Sequence, residues 1–270
     1  MLTLPPAVET RTGLQWRRAA APDLVLERPL AEEAAVGILY DGRPHAVLMA
    51  TPEDVEDLAI GFTLSERIAG ADQIAGVGLE VLEAGVQVDI RLTPEGARSR
   101  ARSRVRPMEG RSSCGLCGVE RLSAAVRPLG AVAASKPLSR RAIEAALDAL
   151  DEAQTLGRLT RAMHAAAFAG PDGKLLIVRE DVGRHNALDK LIGAVSRAGL
   201  DLGEGFCLIT SRCSYEMVDK AAVAGFPVLV AISAPTALAI RKAQEANIAL
   251  IALARADGAV LFTGGERIAP

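Results

Sequence analysis

Aromatic side chains are scarce in this chain of 270 residues, only 3% of it, with a single Trp and two Tyr. Proteins that grip single-stranded nucleic acid stack bases on interleaved rings, so the composition disfavours nucleic acid as a partner. Histidine stops at three residues and cysteine at four. Four cysteines in a chain this long do not form a disulfide scaffold, which points to a reducing cytoplasm. Long apolar runs are missing too. The longest, such as Pro227-Val228-Leu229-Val230-Ala231-Ile232, are strand-sized and fall far short of the roughly 20 residues that cross a bilayer. No charged segment followed by an apolar signal core opens the chain. Neither a G-x-G-x-x-G after a strand nor a P-loop lysine motif occurs, which removes the common dinucleotide and ATP sites.

Half of the residues are hydrophobic and the formal net charge is -2, as in a globular protein with an aliphatic core. Residues 1–30, with Pro5, Pro6, Pro22 and Pro29 and weak periodicity, read as an irregular arm. Residues 31–105 read as a small α+β domain. Val36–Tyr40 and His45–Met49 form a hairpin across Asp41-Gly42, a turn pair that tolerates positive φ. His45 reads as a strand residue. Thr51-Pro52-Glu53-Asp54 has the order of a helix start, a capping Thr followed by Pro at the first helical position. Val55, Leu58, Ala59, Phe62 and Ala69 follow on one face, and Val86, Val88, Ile90 and Leu92 then alternate with polar residues as a strand with one wet face.

The period fails after Leu92, and residues 106–135 read as a flexible connector. Arg98, Arg100, Arg102, Arg104, Arg106 and Arg111 fall at alternate or near-alternate positions, which on an extended segment would share one side. Such a side is either a solvated surface or a landing site for an anion. Within the connector lies Arg111-Ser112-Ser113-Cys114-Gly115-Leu116-Cys117-Gly118. Two thiols two residues apart, among Ser, Gly and Arg, form the surroundings of a reactive thiolate rather than of a packed cysteine.

From Ser139, which caps a helix carrying Ile143, Leu147 and Leu150, the chain alternates strand and helix to its end. Residues 136–270 therefore read as an α/β domain with a mostly parallel sheet covered by helices on both faces. Ligands of such sheets collect at the carboxyl ends of the strands. There the sequence sets Glu180-Asp181-Val182-Gly183-Arg184-His185-Asn186, Ser211-Arg212-Cys213-Ser214 and Ser233-Ala234-Pro235-Thr236. Capping alone explains any one of these Ser or Thr residues. Together with Arg184 and Arg212 they lean towards an anionic ligand held at helix starts.

A CxxC suits a zinc half-site, a redox pair or a thiol-transfer centre. Zinc takes about four ligands, and Cys207, Cys213 and the histidines supply no second ligand pair. The zinc deaminase signature fails as well, because His164 is followed by Ala165-Ala166 and no Pro precedes Cys114. A thioredoxin-like pair belongs at a helix start, not in a connector. Thiol transfer asks for activation. Two exposed charges ~4 Å apart in water interact by only ~1 kcal/mol, less than one pKa unit. Arginines on an open loop therefore activate Cys114 modestly, and full activation is expected on docking. Cys207, inside an apolar strand, reads as an inert core residue, and Cys213 as a pocket wall. His164 and His185 are candidates for proton shuttling or for structural hydrogen bonds.

Ser112-Ser113-Cys114-Gly115-Leu116-Cys117-Gly118, the run Glu180–Lys190, Ser214-Tyr215-Glu216-Met217-Val218-Asp219-Lys220-Ala221-Ala222, the helix segment Glu56–Phe62 and Ser233-Ala234-Pro235-Thr236 together resemble the FdhD family, the formate dehydrogenase accessory sulfurtransferases. The resemblance implies a cytoplasmic homodimer with a cytidine-deaminase-like, three-layer C-terminal domain that lacks the deaminase zinc. It implies a task as well: sulfur is accepted as a persulfide from a cysteine desulfurase and passed to the molybdenum bis-guanine dinucleotide cofactor, before that cofactor enters formate dehydrogenase. The family's persulfide-bearing cysteine falls on Cys114, with Cys117 as a relay. Its cofactor-contacting stretch falls on Ala259, Val260, Leu261, Phe262, Thr263 and Gly264. The sequence departs from the family at Thr160-Arg161-Ala162-Met163-His164, where Thr-Gly-Gly, a gap and His are usual, and at Gly264-Gly265, where His-Pro is usual. Two rival functions are a cofactor-binding chaperone with dispensable thiols and a basic nucleic-acid-binding protein.

Overall fold

The computed structural model describes residues 2–16, 23–102 and 126–270. Cys114 and Cys117, with Arg104, Arg106 and Arg111, lie outside the described residues. No helix among the described residues is long and apolar enough to cross a membrane.

Strands β1 (Val8–Gln15) and β2 (Leu24–Ala31) form an antiparallel ribbon, which corrects the expectation of an irregular arm. Pro29 stands opposite Thr10. In a ribbon of two strands each has a free edge, where a missing N–H breaks no ladder, so the prolines did not exclude pairing.

Four strands, β3 (Ala34–Tyr40), β4 (Arg43–Ala50), β5 (Ile74–Leu82) and β6 (Gly85–Leu92), lie in the order β4-β3-β6-β5. Asp41 and Gly42 turn the β3–β4 hairpin with φ of 52° and 72°, the left-handed pair that matches strand twist. Helix α1 (Val55–Ser65) lays Leu58, Ala59 and Phe62 on Ile38, Tyr40, Val88 and Ile90. It begins later than the capping pattern suggests: Asp54 is the N-cap, at φ 53°, and Thr51 is engaged elsewhere. Helix α2 (Pro94–Arg102) replaces the irregular start expected after Leu92. Thr93 Oγ1 accepts the Gly96 N–H at 3.2 Å, with Pro94 pre-set for the first turn. The backbone here is therefore helical rather than extended, and Arg100 turns in over the Tyr40 ring, 5.0 Å from its centre.

The remainder comprises β7 (Leu138–Ser139), α3 (Arg140–Ala153), α4 (Thr155–Thr160), β8 (His164–Ala169), β9 (Leu175–Asp181), α5 (Arg184–Ala198), β10 (Phe206–Ile209), α6 (Tyr215–Ala224), β11 (Val228–Ala231), α7 (Ala237–Glu245), β12 (Ala249–Arg255), β13 (Gly258–Leu261) and β14 (Ile268–Ala269). Ser139 and Thr236 cap α3 and α7 as expected, accepting from the Ala142 and Ala239 N–H groups at 3.1 Å. Six strands make one sheet, β13-β12-β11-β10-β8-β9. Phe206, Leu208, Val228 and Val230 face Ile143 and Leu150 of α3. Cys207, Ile209 and Leu229 face Leu188, Leu191 and Met217 of α5 and α6 on the other side.

The sheet is mixed rather than mostly parallel. β10/β11 and β11/β12 are parallel, while β8/β9, β8/β10 and β12/β13 are antiparallel. The difference turns on β8, whose run His164-Ala165-Ala166-Ala167-Phe168-Ala169 is poor in β-formers. Alanine has little strand preference of its own, so only pairing with two neighbours makes this segment a strand.

Candidate functional site

Because β8 is antiparallel to both β9 and β10, and the next two pairs are parallel, β9, β10, β11 and β12 all point the same way. Their carboxyl ends open on one edge, where β8 also begins. Loops leaving the ladder there present side chains and helix starts to a ligand.

Arg184 and His185 open α5 just past the end of β9. Ser211 and Arg212 lie between β10 and α6, and Ser233 between β11 and α7. These five predicted residues share the edge. His164 joins them, since it starts β8 opposite Asp181. Burial holds the His164 pKa below its ordinary value, and the nearby charges of Arg184, His185 and Arg212 lower it further against the opposing pull of Asp181. A neutral imidazole beside two permanent guanidinium cations suits an anion. Arriving negative charge would offset the cations and raise the ring's affinity for a proton.

Around this cluster the side chains are braced. His185 Nε2 lies 3.2 Å from Glu216 Oε2, and Ser214 Oγ donates to the same oxygen at 3.2 Å. Ser211 is buried and donates to the Arg212 carbonyl at 3.1 Å, so its hydroxyl shapes the loop. The Ser233 carbonyl accepts the Leu253 N–H at 3.2 Å, which pins a bulge in β12 where Leu253 adopts φ 55°. Among the described residues no side chain caps α5 or α6, and helix starts of this kind favour an anion.

Ala259–Gly264 behave differently. β13 runs back along the outer side of β12, and Gly258, Ala259, Val260 and Leu261 are all exposed. Thr263 Oγ1 donates to the Ile248 carbonyl at 2.7 Å and accepts the Leu250 N–H at 3.0 Å. Thr263 and Gly264 thus end at the amino end of β12, away from Arg184 and Arg212. Ala259 and Val260 lie instead towards the carboxyl end of β12, beside the segment whose Leu253 bonds Ser233.

Cys213 is no pocket wall. It is fully buried in the α5–α6 side of the core, and burial pushes its thiol up to about 12. Cys207 is equally buried, with its pKa raised for the same reason. Among the described residues no three His, Cys, Asp or Glu side chains converge as a metal site. An apolar cavity lined by Leu64, Ile68, Ile192, Val195, Leu202 and Val223 includes none of the candidate residues.

Sequence reasoning missed the supports of the edge: Thr51, Asp181 and Lys190, buried together. The signal for Asp181 was a charged residue ending an otherwise apolar strand. Thr51 carried none, because its position before Pro52 imitates a cap.

The FdhD/NarQ family model matches residues 31–269. The chain belongs to the FdhD/NarQ family. The match starts at the last residue of β2, so β1 and nearly all of the ribbon lie outside the matched residues. Among FdhD/NarQ relatives, the sulfur carrier protein FdhD of Xanthomonas euvesicatoria pv. vesicatoria is 46% identical over 93% of this chain and 88% of its own. That of Agrobacterium fabrum is 48% identical over 90% of each. A crystal structure described as that of a formate dehydrogenase accessory protein from Desulfotalea psychrophila superposes with a TM-score of 0.77, at 22% identity, over 98% of this chain and all of the other. At that identity the likeness speaks for the FdhD/NarQ fold alone.

Proposed function

We propose that this protein is a sulfur carrier that takes persulfide sulfur from a cysteine desulfurase onto Cys114 and transfers it to the molybdenum bis-guanine dinucleotide cofactor, the substrate that then enters formate dehydrogenase. The observation that carries the reading is the convergence of Arg184, Arg212, His185 and a neutral His164 at one strand edge, a setting for phosphate groups. Relatives named as sulfur carriers support the thiol half.

The first step is thiol exchange. The Cys114 thiolate attacks the terminal sulfur of the donor persulfide, the donor's S–S bond breaks, and its cysteine leaves as a thiolate that takes up a proton. Cys114 then carries the sulfane sulfur, with Cys117 as a relay, and no oxidant is consumed. A reducing cytoplasm keeps Cys114 and Cys117 as thiols ready for the exchange.

Chain geometry supports delivery to the edge. The Arg127 N–H donates to the Tyr215 hydroxyl at 2.7 Å, Lys242 Nζ donates to the Arg127 carbonyl at 3.1 Å, and Tyr215 opens α6 right after Ser214. Cys117 lies ten positions before Arg127, a span of at most ~35 Å. Thr263 and Gly264, at the amino end of β12, fit the acceptor if a second copy of a homodimer brings them to the edge.

Incubating the protein with a desulfurase and cysteine, then weighing it intact, tests the reading. A reductant-labile added sulfur that disappears in Cys114→Ser is expected, and absence of any labile sulfur would sink the transfer chemistry. A Cys114→Ser, Cys117→Ser double variant that still matured the dehydrogenase would instead favour a cofactor-binding chaperone.

A further inference from the structure

Thr51 lies between β4 and α1, fully buried, and each of its three polar groups engages the neighbouring sheet's carboxyl edge. Its N–H donates to Asp181 Oδ2 at 3.0 Å, its Oγ1 accepts the Val182 N–H at 3.2 Å, and its carbonyl accepts from Lys190 Nζ at 3.0 Å. The hydroxyl proton points to Met163 Sδ at 3.6 Å, one residue before His164. Asp181 completes the arrangement. It is paired with Lys190 Nζ at 2.7 Å, both side chains fully buried, and its Oδ1 accepts from the Gly183 N–H at 2.8 Å and from Asn186 Nδ2 at 3.0 Å. Asn186 Nδ2 also donates to the Met49 carbonyl at 2.9 Å.

Residues 49–51 therefore hold the turn 181–186 from outside the sheet it belongs to, on both sides of Arg184 and His185. Local structure does not call for this. Asp54, not Thr51, stands at the N-cap of α1, so the hydroxyl is free to serve the turn. A buried ion pair such as Lys190–Asp181 adds little net stability, since loss of hydration roughly offsets the attraction. What it does supply, with its hydrogen bonds satisfied, is a single geometry.

We propose that Thr51 is a positioning residue for the carboxyl-edge site: through Asp181 and the Val182 amide it sets the turn that aims Arg184 and His185 at the bound anion. The inference rests on the reading above that this edge receives nucleotide phosphates. Thr51→Val keeps the shape and the backbone bonds but removes the acceptor of the Val182 N–H, whereas Thr51→Ser keeps the oxygen.

Guanosine diphosphate is the probe, titrated by calorimetry into the full chain and both variants. Amide hydrogen exchange of Val182–Asn186 and the thermal midpoint are measured alongside. The expected result is binding about tenfold weaker in Thr51→Val and within about twofold of the parent in Thr51→Ser, with faster exchange at Val182–Asn186 in the valine variant only. Unchanged binding by Thr51→Val overturns the inference and leaves the proposed function standing. Equal weakening by both variants also overturns it, because the oxygen then has no role. No binding of the probe by the parent protein overturns the phosphate reading of the edge and this inference with it.

Discussion

Gly61 on α1 and Gly193 on α5 meet back to back where the two helices cross. A Cβ on Gly61 would overlap the Asp189 carbonyl, and one on Gly193 the Asp57 carbonyl; each would also stand 2.9 Å from the other glycine's amide nitrogen. The helix that covers the four-stranded sheet thus touches the helix that covers the six-stranded one, backbone against backbone. Charges ring the crossing. Asp57 accepts from Arg197 at 2.7 Å and from Arg179 at 2.8 Å, and Asp189 pairs with Lys220 at 2.9 Å.

Gly61→Ala is therefore expected to force the helices apart and to lower stability by about 3 kcal/mol, read by urea unfolding. Gly13→Ala, where an added Cβ meets nothing within 4 Å, should stay within about 0.5 kcal/mol of the parent. Equal effects at the two positions would mean that the crossing is not close.

Lys220 should make the protein sensitive to alkali. Burial works against its charge, but Asp189 and Glu66 outweigh it and raise the pKa above 10.5. With the folded pKa above the unfolded one, the contribution is complete below about pH 10.5 and is lost as pH rises through the folded value. Thermal midpoints taken from pH 8 upward should fall steeply for the parent at the alkaline end. Lys220→Met should start lower and show a shallower fall; parallel curves would argue against the buried pair.

His164 has the opposite sign. Its folded pKa lies below the ordinary 6.5, so the folded state resists protonation there. Stability from this group is present above about 6.5 and is lost as pH falls through the folded value. Ring NMR should show His164 titrating below 6.5, moving up in Arg212→Gln and on adding guanosine diphosphate. A titration indifferent to both changes would remove the electrostatic coupling from the edge.

Cys207 and Cys213 should resist alkylation by iodoacetamide at pH 8 in the folded protein and react once it is unfolded, because burial holds both thiols far above that pH. Mass mapping of the labelled sites decides it. Rapid labelling of Cys213 before unfolding would show that the strand end opens.

Much of the fold was legible because it is written over short distances. Ser139 and Thr236 announced their helices, Asp41-Gly42 its hairpin, and the apolar runs Phe206–Ile209 and Val228–Ala231 their buried strands, each through spacing that spans one or two turns. The carboxyl-edge residues Arg184, His185, Arg212 and Ser233 were also legible, since strand-to-helix alternation locates that edge before any pairing is known. Contacts between distant residues decided the rest. Alanine-rich β8 became a strand, and the sheet mixed, only through pairing with β9 and β10. The ribbon β1–β2 formed despite its prolines. Thr51, which locally imitates a helix cap, was taken by Asp181 and Lys190, 130 and 139 positions away. By itself the sequence determined the segments with a strong local period and the residues that stand at the ends of the apolar strands. Only the tertiary structure decided strand direction, the Gly61–Gly193 crossing and the buried braces behind the edge, because a local pattern holds no information about which distant group will satisfy a buried polar atom.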